Sequence, residues 1–103
     1  MNISDEDRKT YQKWVQRNGS QRVFMELLQR MARLQIEIVS LMKNAYSDDK
    51  DDHFDLSERM GEVEIAMEMM QTLMDVDGWA DYMARRKADK QSDFRRHEES
   101  FNE

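Results

Sequence analysis

The chain has no cysteine, no proline and only three glycines among 103 residues. The first absence excludes a disulfide framework, a thiolate nucleophile and any cysteine metal site, and it suits a reducing interior. The other two leave long helices uninterrupted and withhold the turn residues that a sheet of many strands needs. No apolar run approaches about 18 residues and the N-terminus is polar, so neither a membrane span nor a signal peptide is expected, and the protein reads as cytoplasmic. Also missing are a glycine-rich phosphate loop, a zinc-ligand spacing and a nucleophile elbow. A net charge of −6 argues against binding to nucleic acid, whose phosphates demand a basic footprint, while leaving room for a basic or metal-bearing partner.

What is present is a chain 37% charged and 39% hydrophobic, the composition of a helical domain. At this length it has material for one core, with about a third or more of the chain surface left wet. We therefore expect a single all-α domain over 1–103. The stretch Met25 to Met42 sets its frame, because Leu27, Met31, Leu34, Ile38, Leu41 and Ala45 recur in alternating steps of four and three along one side of a helix. Leu56, Met60, Val63, Met67, Met70 and Met74 repeat that rhythm on a second helix. Two such seams pack together, giving about four helices in an antiparallel bundle whose apolar surface a second copy completes.

Local signals divide the domain. Ser4 with Asp7 resembles a capping box opening an N-terminal helix over 1–19, which turns Tyr11, Trp14 and Val15 inward and stops at Asn18-Gly19. The core helices occupy 20–84. Ser20 caps the first of them, which runs to Asn44 or Ala45, and a polar loop from Tyr46 to Phe54 follows. Asp55 with Glu58 caps the next, which ends near Met74 or Asp75, and Asp77 of the turn Asp75 to Gly78 caps the last. Gly61 lies inside a helix, where it costs about 1 kcal/mol relative to alanine, so a close helix approach is expected there. From 85 to 103 a charged C-terminal helix projects, with Phe94 and Phe101 its only large apolar residues.

The loop aspartates Asp48, Asp49, Asp51 and Asp52 lack the glycine of a calcium loop and read as a solvated charge run, and His53 has no second ligand beside it. The ten methionines fill irregular core gaps or serve an adaptable interface.

Taken in order, Tyr11-Gln12-Lys13-Trp14, Gly19, Met31-Ala32-Arg33-Leu34-Gln35 and Gly61-Glu62-Val63-Glu64-Ile65 resemble the MazG-like all-α nucleoside triphosphate pyrophosphatases, in particular the small phage and prophage type. The likeness covers roughly residues 10–95. It implies a helical bundle that assembles as a homodimer. In that family an acid-x-x-acid pair on each of two core helices holds magnesium, because a hard cation wants carboxylate oxygens converging from facing helices. Laid over this chain, the four positions fall on Arg30, Arg33, Arg59 and Glu62, so only one keeps its acid. The family's lysine after a tyrosine falls on Met83, following Tyr82.

Guanidinium groups stay charged at any ordinary pH and repel a divalent cation, so no metal site and no cofactor are expected, and no catalytic residue is assigned. A shifted register offers Glu26, Glu37, Glu64 or Glu68 as ligands but turns those acids away from the seams. The arginines are expected instead to pair with Glu62, and with Glu37 or Glu58. Alternatively they line a metal-free pocket for an anion or nucleotide, with Trp14 or Trp79 as its aromatic wall. The resulting expectation is a catalytically degenerate relative that binds a protein partner, a phage-encoded modulator of a host or defence factor, through Arg85, Arg86, Phe94, Arg95 and Arg96 on the C-terminal helix. The rival is an active, magnesium-dependent nucleoside triphosphate pyrophosphatase with displaced ligands. An acidic surface imitating nucleic acid ranks third.

Overall fold

The computed structural model describes residues 3–43, 50–74 and 78–101, with side chains from Phe54 onward in the middle stretch. Among them are four α-helices and no strand: α1 (Asp5–Asn18), α2 (Ser20–Lys43), α3 (Lys50–Leu73) and α4 (Trp79–Ser100). The chain divides into two compact units, Met1–Leu73 and Met74–Glu103.

In the first unit α1, α2 and α3 pack on one another. Helix α1 starts where its cap predicts: the Ser4 hydroxyl accepts a hydrogen bond from the Asp7 N–H at 3.1 Å, and Asp5, Glu6 and Asp7 put negative charge on the positive end of the helix. It stops at Gly19, whose φ of 87° is a left-handed value that only glycine adopts without strain, and whose N–H bonds the Val15 carbonyl at 2.8 Å. Tyr11, Trp14 and Val15 are half-buried, as the pattern implies. The Tyr11 hydroxyl donates to Glu68 Oε2 at 3.5 Å and so ties α1 to α3.

Helix α2 opens at Ser20 itself, with Gly19 before it. Its inward line runs through Val23, Leu27, Arg30, Leu34, Glu37 and Leu41. The expected seam is thus correct at its three leucines and wrong between them, since Met31 and Ile38 are 45% and 42% exposed. Two lines share those leucines, and the polar one faces the other helices. On α3 the correction is larger. The deepest residues are Ala66 and Met69, which with Arg59, Glu62 and Leu73 form a stripe rotated about a quarter turn from the expected one. Met60, Met67 and Met74 are exposed, while Val63 and Met70, between the two stripes, stay half-buried. Apolar residues lie all round this helix, so the four-three rhythm could not say which side is covered.

Two further expectations are corrected. Helix α3 begins at Lys50, so residues 50–54 are helical rather than loop, and Asp55 lies inside the helix rather than capping it. Gly61 marks no close approach: a Cβ built there meets nothing within 4 Å. The expected end of α2 at Asn44 or Ala45, the aspartates Asp48 and Asp49, and the Asp77 cap lie outside the described residues.

In the second unit Gly78, at φ 80°, precedes α4 and accepts the Tyr82 N–H at 2.9 Å. The helix runs unbroken to Ser100, and every residue from Ala84 to Phe101 is exposed. Its last turn is held by the Phe101 N–H on the Glu98 carbonyl, and by His97 and Phe101, whose rings meet edge-on at 5.0 Å. No helix among the described residues is long and apolar enough to cross a membrane.

Candidate functional site

The four positions singled out by sequence, Arg30 and Arg33 on α2 and Arg59 and Glu62 on α3, meet where these two helices pack. The spacing explains why. Residues three or four apart share a helix face, so each helix presents its charged pair on one side. Glu62 is the hub. Its Oε1 accepts from Arg59 Nη1 at 2.9 Å, its Oε2 lies 3.9 Å from Arg33 Nη1, and its backbone carbonyl accepts from Arg30 Nη1 at 3.1 Å. Arg30 also donates through Nε to Glu26 Oε2 at 3.3 Å, and the other oxygen of Glu26 takes Arg22 Nη2 at 3.0 Å.

Four guanidinium groups therefore surround two carboxylates, a local excess of positive charge within a chain of net charge −6. Arg30 is the most sequestered of the cations, its side chain 22% exposed, and it bridges the helices by a charge-assisted bond to a main-chain carbonyl. Such a bond contributes about 1.5–3 kcal/mol, whereas a long ion pair to a largely solvated cation, as between Arg33 and Glu62, contributes about 0.2–1. Glu62 Oε2 is buried without a hydrogen bond, because Arg33 at 3.9 Å supplies charge but no donor contact.

The arrangement neutralises Glu62 with the chain's own cations. It does not gather carboxylates: among the described residues no three of His, Asp and Glu converge as a metal site would need. Glu26, offered by sequence as a displaced ligand, is held between Arg22 and Arg30.

No family model, curated protein or solved structure matches the chain.

Two pairings were not anticipated: Glu26 with Arg30, and Tyr11 with Glu68. Glu26 was legible, since Arg22, Glu26 and Arg30 stand four apart on one helix. The link from Tyr11 to Glu68 was not, because no local spacing connects residues 57 apart. Burial, the Glu68 carboxylate, Asp7 and the hydrogen bond to Glu68 all push the Tyr11 hydroxyl above the ordinary tyrosine pKa.

The second group of candidates lies on α4. There Phe94, 68% exposed, lines a shallow groove with Lys87, Lys90, Gln91, Arg95 and Glu98. Of the predicted cations only Arg95 shares that groove. Arg85 and Arg86 point to other sides of the helix; Arg86 faces Asp89 at 3.8 Å, and Arg96 pairs with Asp93.

Proposed function

We propose that this chain is a catalytically degenerate, MazG-like protein that works by binding another protein. The observation that carries the reading is the capture of Glu62, the one acid kept at the four family metal positions, by Arg59, with Arg33 beside it and Arg30 on its carbonyl. A magnesium ion would have to displace these cations and overcome their repulsion. The finer architecture belongs to the same proposal: an antiparallel bundle, dimerised, in the cytoplasm of a host cell, where a phage-encoded chain modulates a host or defence factor. The groove around Phe94 offers an apolar anchor within a charged rim, the composition in which binding energy concentrates.

The test is magnesium binding by calorimetry together with pyrophosphate release from each common nucleoside triphosphate. Neither is expected. Release that disappears with Glu62→Ala would restore the enzyme reading. Changing Arg30, Arg33 and Arg59 together to Glu is expected to create a magnesium response in thermal melting. If a partner is captured from the host, Phe94→Ala is expected to release it with helix content unchanged; capture that depends instead on nucleotide and Arg33 would assign the work to the charged site.

A further inference from the structure

Helix α2 has two apolar faces, and packing within its unit uses one. At about 100° per residue, Val23, Leu27, Leu34 and Leu41 fall on the side that turns toward α1 and α3. The neighbouring side, turned about 100° from it, carries Phe24, Leu28, Met31, Ile38, Val39 and Met42, exposed by 41% at Phe24 and up to 71% at Met42. Every charged residue of α2 from Arg22 to Glu37 lies off this arc, and its one polar member between Phe24 and Met42 is Gln35, on the midline.

A helix whose apolar arc spans more than half its circumference carries more apolar surface than one packed side covers. Alone, this unit does not cover the rest: among its described residues only Val23, Ala66 and Met69 are buried. At those exposures the six apolar side chains leave on the order of 600 Å² in water, approaching the roughly 800 Å² that one side of a standard protein interface covers. The area left in water is the top of the range, about 300–600 Å², for the largest apolar patch on an ordinary monomer. The arc also carries no charge for a differently charged partner to complement. An identical face meets it without like-charge repulsion, and a two-fold axis lets one patch serve both copies. A lone polar residue in an apolar seam is the usual device for fixing the register of such a pair.

We infer that a second copy of this chain seats on the Phe24–Met42 face of α2, copy against copy, with Gln35 near the axis. The inference rests on the homodimer reading above and names its surface.

Sedimentation equilibrium of the full chain tests both levels. The wild type is expected to be a dimer at micromolar concentration, Leu28→Glu to weaken association at least about 100-fold with helix content unchanged, and Gln29→Glu, well away from the arc, to leave it unaltered. Because the chain has no cysteine, a single one reports position. Gln35→Cys is expected to be joined to its mate by a short bis-maleimide, and Gln29→Cys not, which also covers the case of an unfolded Leu28→Glu. A dimer that survives Leu28→Glu without the Gln35→Cys cross-link overturns this surface and leaves the homodimer standing. A wild-type monomer overturns both.

Discussion

Gly61 and Tyr11 are the two residues whose surroundings make the sharpest statements. Gly61 sits mid-helix with open space where a Cβ would stand, so its conformational freedom in the unfolded chain is lost for no packing return. Gly61→Ala is expected to stabilise the protein by about 0.5–1 kcal/mol, read as a higher urea midpoint at unchanged slope. A loss of stability would mean that something in solution occupies that space. Tyr11 makes a pH prediction. The fold favours its neutral form, through burial and then the nearby Glu68 and Asp7 charges, so its folded pKa lies above the unfolded one. Its contribution is whole below the ordinary tyrosine value of about 10 and fades as pH rises through the raised value. Between about pH 8 and about pH 11 the wild type should therefore lose more stability than Tyr11→Phe, whose unfolding curves supply the reference.

At the scale of the helix, sequence and structure part company in an instructive way. The ends of α1 were legible, because a serine cap and a glycine stop act over a few bonds and are written locally as Ser4 and Gly19. The existence of α2 and α3 was legible too, since uninterrupted apolar repeats without proline leave few other options. Their covered faces were only half so. On α2 the leucines of both candidate seams coincide, and what decides between Met31 and Arg30 is a long-range bond from Arg30 to the Glu62 carbonyl, for which sequence spacing carries no signal. On α3 apolar residues surround the axis, so the seam chosen by rhythm missed Ala66 and Met69. That Arg30, Arg33 and Arg59 gather on Glu62 was expected as a charge network, whereas the partner expected beside it was Glu37 or Glu58 and the one found is Glu26. Truncation separates the two faces of α3. Met69→Ala removes a side chain that is 6% exposed and is expected to cost about 2–5 kcal/mol. Met67→Ala, starting 39% exposed, is expected to cost less than about 1 kcal/mol by chemical denaturation. Equal losses would return the seam to its sequence-predicted side.

For the chain taken whole, the sparse burial of its first unit turns stability into a question of concentration. Large exposed apolar side chains on α2 and α3 outnumber the buried ones among the described residues, so the area withheld from water within one copy is small beside the entropy of ordering three helices. Burial supplied by a second copy adds to the folding free energy only while that copy is bound, and mass action then ties the melting temperature to protein concentration. A unit stable by itself shows no such dependence. The melting temperature is accordingly expected to rise steadily as protein is raised about 100-fold from the low micromolar range, and to do so for Gln29→Glu as for the wild type. In Leu28→Glu the slope should flatten and the melting temperature fall to the wild-type value at the lowest concentration or below it, because that variant keeps the contacts within one copy and loses those between copies. A wild-type melting temperature independent of concentration, in a range where the chain is shown to be monomeric, would mean that three buried side chains and the Arg–Glu network suffice, and that the α2 face is tolerated in water.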